Sequence, residues 1–259
     1  MECNKKLANY KKNVLGVNQA GIFKYKGKEY LKDYILPKEQ SKLNFMIDDN
    51  SHKFLSKNLI QLDKNYDDKP IQIRLHRYWH HLNSSQILSL NYFYDFIENL
   101  EKLNKLLKFL GINELAHEAT LEYGIYDKTE VDFVIKLKSG KFVYIEVKYS
   151  EKEFGPASSK TTDYKKRKEQ FYSKADIGFN NFKKHYQFIR NVILGVDGNY
   201  SVFLVPMFND KIIKDYYKAV ESLKNFNDFS VSLVKWEDLL KVVADDAIEY
   251  KYFKDVTMI

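Results

Sequence analysis

Asp132, Glu146 and Lys148 are the residues of this chain whose types and spacing could do chemistry. They fall in two short runs that alternate apolar and polar residues. In the first, Val131, Phe133, Ile135 and Leu137 share one parity and Asp132 takes the other. In the second, Val143, Ile145, Val147 and Tyr149 share one parity, with Glu146 and Lys148 on the other. Such alternation marks strands with one buried face, so all three polar side chains leave the sheet away from the core. Between the runs, Lys138-Ser139-Gly140 fits a three-residue hairpin loop with Gly140 in the left-handed position. That loop pairs Leu137 with Lys141 and sets Asp132 across from Glu146. A slip of one residue would put Asp132 opposite Val147 and send the carboxylates to different faces.

Two facing carboxylates repel, and each has its pKa raised unless a cation sits between them. A hard divalent ion with oxygen ligands resolves the conflict, and Mg²⁺ is the usual occupant where phosphate oxygens complete the shell. Lys148, on the same face, can stabilise charge building on a phosphate or help orient an attacking water. This is the equipment of metal-assisted phosphodiester hydrolysis. Glu-x-Lys alone carries no weight in a lysine-rich chain, and the plain alternative is a solvated strand face with a salt bridge. Parity, register and turn together favour the site.

The elements that must position these residues follow from the flanking pattern. Asn83 or Ser84 can cap one long helix reaching about residue 110, where Gly111 stops it. Leu88, Tyr92, Phe96, Leu100, Leu103, Leu107 and Leu110 give that helix an apolar stripe. Strands are expected at about 115–123, 130–137, 142–149, 200–207 and 229–235. Helices are expected at about 164–175, 180–194 and 210–223, with a last one from about 237. A loop rich in Ser, Thr and Lys covers about 150–163. Hairpin-linked strands followed by alternating helix and strand imply an α/β fold with a mixed central sheet flanked by helices on both faces. Residues 1 to about 75 read as an irregular N-terminal arm or small subdomain, and Asn65-Tyr66-Asp67-Asp68-Lys69-Pro70 is the best candidate linker.

The 259 residues suit one large domain, or a core domain with an appended segment. A hydrophobic content of 44% with 15% aromatics is enough for a real core and excludes global disorder. No run approaches a membrane span, and the first residues lack the apolar centre of a signal peptide. The single cysteine, Cys3, excludes an internal disulfide framework. A soluble, cytoplasmic protein is expected. Lys and Arg exceed Asp and Glu by 42 to 35, a net charge of +7, which fits a polyanionic partner without requiring one.

Val131-Asp132 followed by Glu146-Val147-Lys148, in this order of elements, resembles the signature of the PD-(D/E)xK nuclease superfamily. His80-His81-Leu82-Asn83-Ser84-Ser85-Gln86, and Glu146 through Glu151 running on to Phe154-Gly155, resemble a branch of type II restriction endonucleases. The resemblance covers roughly residues 75–195, with an echo at Tyr34–Pro37. It implies a restriction-endonuclease-like core of helix, three strands, helix and strand, placed in residues 76–259. It implies that Asp132 and Glu146 ligate Mg²⁺, with Mn²⁺ able to substitute, that Val147 offers its backbone carbonyl, and that Lys148 is catalytic. Val131 stands where the signature has proline, a position that binds no metal. The superfamily often adds an acidic residue from the first strand or helix; Glu118 and Glu122 share the required parity, and Glu118 is preferred. The implied activity is Mg²⁺-dependent cleavage of double-stranded DNA. Because the chain carries one Asp132/Glu146/Lys148 set, a homodimer on DNA is expected, with the residues outside the resemblance, about 1–75 and 196–259, supplying partner and base contacts. A repair or junction-resolving nuclease, or a DNA-binding module without catalysis, are the alternatives.

Ser85 and Gln86, at the start of the long helix where free backbone N–H groups favour phosphate, and Gln187 and Arg190, on the helix of 180–194, are candidate DNA contacts. Ordinary capping and an exposed helix face are their bland readings. His76, His80 and His81 show spacing that can bind zinc, but with no cysteine nearby packing or DNA contact is favoured. Gly124-Ile125-Tyr126 with Tyr144-Ile145 does not complete a GIY-YIG pattern, since Glu146 replaces the glycine. Gly21 and Gly27-Lys28 have the wrong spacing for a phosphate-binding loop, so no ATP requirement is expected.

Overall fold

The computed structural model describes residues 2–45, 75–97, 99–125, 129–157 and 164–243. The alternating runs do form neighbouring strands. β3 (Ala116–Ile125), β4 (Thr129–Leu137) and β5 (Phe142–Val147) are antiparallel, and β6 (Tyr200–Val205) and β7 (Val231–Lys235) extend the sheet in parallel, in the order β3-β4-β5-β6-β7. The turn is as expected. Gly140 has φ +87°, its N–H donates to Leu137 O at 3.0 Å, and Leu137 N–H donates to Lys141 O at 2.8 Å. The ladder runs from Lys136↔Phe142 to Phe133↔Ile145, the register that carries Asp132 and Glu146 to one face.

The other face of the sheet is sealed. Phe133, Ile135, Val143, Ile145 and Val147 pack in one core with α2 (Ser85–Phe93), α3 (Leu100–Phe109) and α8 (Trp236–Val243). Phe93 stacks on Phe133 at 4.2 Å, and Trp236 meets Tyr92 edge-on at 5.0 Å. On the polar face the cover is partial. α5 (Phe179–Lys184), α6 (Tyr186–Val192) and α7 (Asp210–Ser222) lie over β6, where Phe203 and Val205 join Phe188, Ile212 and Tyr216 in a second core. α4 (Tyr164–Phe171) precedes them. The site lies where this second cover ends.

Three expectations are corrected. The long helix is two: Tyr94–Phe96 tightens into a 3-10 turn, and Asn99 starts α3 afresh by accepting the N–H of Lys102 at 3.0 Å. The side-chain oxygen of a helix-capping Asn satisfies a backbone donor that a continuous helix would have used internally. Leu100, counted in the apolar stripe, is exposed as a result. The helix of 180–194 is likewise broken, at His185 between α5 and α6. Nor is the described part of the N-terminal segment, residues 2–45, irregular. It forms α1 (Glu2–Asn13) and a hairpin of β1 (Gly21–Tyr25) and β2 (Lys28–Lys32). Cys3, Leu7, Val17, Leu36 and Phe45 pack in the same core as Phe133 and Ile135. The candidate linker at 65–70, the end of the polar loop at 158–163 and the last residues of the C-terminal helix reading lie outside the described residues. No helix among the described residues is long and apolar enough to cross a membrane.

Candidate active site

Beyond the Phe133↔Ile145 pair β4 and β5 part, and a side chain takes over the ladder: Asp132 Oδ2 accepts the backbone N–H of Val147 at 2.6 Å. This bond points Asp132 along the polar face. One residue further, Lys148 N–H donates to Leu204 O at 2.9 Å, so β6 holds the lysine in strand geometry. Glu146 and Lys148 therefore emerge on the same side, and Lys148 Nζ donates to Glu146 Oε1 at 2.8 Å. Both are buried, at 6% and 7% exposure, although they are charged. From α6, Arg190 Nη2 stands 3.7 Å from Glu146 Oε2.

These residues line one cleft of about 920 Å³, together with Ser85, Gln86, Glu122, Glu151 and Gln187. Ser84 caps α2 by accepting Ile87 N–H. That fixes the first turn, and Gln86 uses it to span the cleft wall: its Oε1 accepts His76 N–H at 2.8 Å and its Nε2 donates to Glu122 Oε2 at 3.0 Å. Gln187 is admitted by Gly155, which has φ +94° and whose missing Cβ would lie 2.7 Å from Gln187 Nε2. Asn83 Nδ2 donates to Ser150 Oγ at 2.9 Å, closing the wall between α2 and the end of β5.

Glu118 is not in the cleft. Its carboxylate is exposed, bonded to Lys136 at 3.0 Å, and belongs to a separate shallow pocket with Thr120 and Phe142. Of the two residues of matching parity, Glu122 lines the cleft and Glu118 does not. Parity selects a face of a strand but not a height along it, and four residues are about 13 Å. Glu122 lies between the pairs Leu121↔Phe133 and Tyr123↔Val131, level with Asp132. Its φ of +49° kinks β3 there, and its Oε1 is buried with no hydrogen-bond partner among the described residues. Val147 turns its side chain into the core and offers only its backbone near the site.

Electrostatics divide the carboxylates into two kinds. Burial, then the negative charge of Glu146, pushes Asp132 up to about 8 against the pull of Lys148 and the Val147 N–H. Burial, then Asp132, pushes Glu122 up to about 9. Burial would raise Glu146 as well, but Lys148 and Arg190 overcome it and hold Glu146 below the ordinary range. For Lys148, burial favours the neutral amine, yet Glu146, Glu151 and Asp132 keep its pKa above the ordinary value. Glu146 is thus ionised beside a charged lysine, while two further carboxylates hold protons near neutrality.

A family model described as restriction endonuclease associating with ARP matches residues 4–256. The chain belongs to this restriction-endonuclease family. No curated protein matches it. The family match takes in α1, the β1–β2 hairpin and α8 as well as the strands of the site, so it extends well beyond 75–195. In this family member the cleft also holds residues to which the sequence assigned no role: Glu130, Glu151, Arg77 and Tyr78. Glu130 shares the parity of Asp132, a signal that was present. Arg77 and Tyr78 reach the cleft through tertiary packing, for which the sequence carries no sign. His81 lines it too, with burial and then His80 and His76 pushing its pKa down to about 4, so it is a neutral imidazole there. Among the described residues no three His, Cys, Asp or Glu side chains stand together as a ready metal cluster.

Proposed function

We propose that the cleft hydrolyses phosphodiester bonds of double-stranded DNA with Mg²⁺, as a restriction endonuclease acting without ATP and as a homodimer on DNA. The observation that carries this reading is the convergence of Asp132, Glu146, Lys148 and Arg190 from two strands and a helix into one open cleft. The residues suit a magnesium ion. Mg²⁺ takes one or two protein carboxylates and leaves its remaining positions to water and phosphate, so no cluster of three is required. The buried, partnerless Glu122 Oε1 and the mutual repulsion of Asp132 and Glu146 are what a cation would relieve. Asp132 and Glu146 would hold the ion, with the Val147 carbonyl beside them and Glu122 behind. When bound, Mg²⁺ polarises the scissile phosphate and counters the charge that builds on it.

The chain's own residues supply the rest. Lys148 is held in its charged form, so it acts as an electrostatic clamp on the phosphate rather than as a proton acceptor. Arg190 and Gln187 from α6, and Ser85 and Gln86 from the first turn of α2, present donors to the strand backbone on either side. Arg167 of α4 donates to Tyr186 O–H at 3.0 Å, next to Gln187, and Lys165 and Lys166 are exposed on the same helix for further phosphates. One Asp132/Glu146/Lys148 set per chain requires two protomers for a concerted double-strand break. Incubation with supercoiled plasmid and Mg²⁺ should yield discrete fragments, and Asp132→Ala should yield none. Cleavage by the Asp132→Ala protein at the wild-type rate would overturn the reading.

A further inference from the structure

The β1–β2 hairpin stands beside the cleft and takes no part in the site described above. Its tip is the two-residue turn Lys26-Gly27, with φ +48° and +77°, a geometry that matches the twist of a narrow two-stranded ribbon. Lys24, Lys26, Lys28 and Lys32 face a single acid, Glu29, which Lys24 already neutralises at 2.6 Å. Large apolar side chains are left in solvent along it: Ile22 is 44% exposed, Tyr25 52% and Leu31 71%. A cationic ribbon with aromatic and aliphatic contacts has the chemistry of a nucleic-acid surface.

The root of the ribbon is rigid. A Cβ on Gly21 would lie 2.5 Å from Leu36 O, and the buried ammonium of Lys11 donates to Gln19 O and Ile35 O. This root is stitched to the cleft wall. Leu36 N–H donates to His80 O at 3.1 Å, Ile35 bridges to His81, and Phe23 rests on Tyr78 with ring centres 5.9 Å apart. Tyr78 and His81 line the cleft itself. A fixed root and a free cationic tip are what a base-reading element needs, because the spacing between recognised bases and the cut bond must be held by the protein.

We infer that the hairpin Gly21–Lys32 enters the major groove of duplex DNA and reads bases beside the bond cut in the cleft. The major groove is about 12 Å wide and admits a two-stranded ribbon. Lys26 and Lys28 meet the flanking phosphates, while Ile22 and Leu31, cross-strand partners on one face of the ribbon, meet base edges and thymine methyl groups. This rests on reading the cleft as a DNA-cutting site.

Selection by the full chain, in EDTA, from a random duplex library of about 30 base pairs (three helical turns) reads base preference without cleavage. Wild type should enrich a sequence motif, and Ile22→Ala combined with Leu31→Ala should reduce that enrichment roughly tenfold. Both side chains are at the surface, so circular dichroism and melting should be unchanged. Equal enrichment of the same motif by the variant would overturn the inference. So would a wild type that enriches no motif, or a variant weakened equally on every sequence. Failure of the nuclease reading would show separately, as intact plasmid after incubation of wild type with Mg²⁺.

Discussion

Gln86 Nε2 donates to Glu122 Oε2 at 3.0 Å, tying the first turn of α2 to the kink in β3 at the level of Asp132. The bond holds a carboxylate of the first strand against the site, while Glu118 on the same strand is spent on Lys136. Glu122→Gln should therefore slow plasmid nicking roughly ten- to hundredfold, the usual cost of disturbing a group that supports a metal site. Glu118→Gln should leave the rate near wild type. Equal losses in the two variants would return Glu118 to the site.

The pH dependence of the metal-free protein follows from the raised carboxylates. Asp132, at about 8, and Glu122, at about 9, take up protons more readily in the folded chain than in the unfolded one. Their contribution is complete below the ordinary carboxylate range and is lost as pH rises through 8 to 9. Glu146, shifted down, and Lys148, shifted up, titrate outside that window. Melting temperature in EDTA should fall between pH 5 and pH 9, and Asp132→Asn should flatten the fall. A profile that is level for wild type would count against the burial of these charges.

Lys148→Met keeps the length of the stem and removes the charge. Cleavage should drop about a hundredfold or more, as when other fixed transition-state charges are removed. Mg²⁺ binding, followed by calorimetry, should persist because Lys148 holds no metal. Metal affinity lost as completely as in Asp132→Ala would assign the lysine a different role.

Gly155→Ala would place a Cβ against Gln187 at φ +94°. The strain should cost about 1–2 kcal/mol of stability, readable by chemical denaturation, and displacement of Gln187 should weaken DNA binding. Full stability and affinity in the variant would show that Gln187 has room to move.

Duplex binding should weaken steeply with salt, since each phosphate neutralised by Lys or Arg releases counterions. Affinity that stays level from low to moderate salt, measured by fluorescence anisotropy, would be incompatible with the proposed backbone contacts.

The strand pair that carries Asp132, Glu146 and Lys148 was legible in the sequence because strand parity and a three-residue turn are local properties. A period of two decides the face, and Gly140 decides the register, without reference to the rest of the chain. The order of the central elements followed for the same reason. What only the tertiary structure decided is long-range. Glu122 rather than Glu118 enters the site because height along β3 depends on pairing with β4 and on a kink at Glu122. One long helix became two because the chain tightens at Tyr94–Phe96 and restarts at the Asn99 cap, and Phe96 and Leu103 reach the same core from either side of that break. The N-terminal segment, with few periodic apolar residues, gave no local sign that Leu7, Val17 and Leu36 complete the core beneath the sheet. Nor could spacing reveal that Arg190 faces Glu146, or that His81 and Tyr78 wall the cleft, since contacts between distant segments are set by packing and leave no period in the sequence.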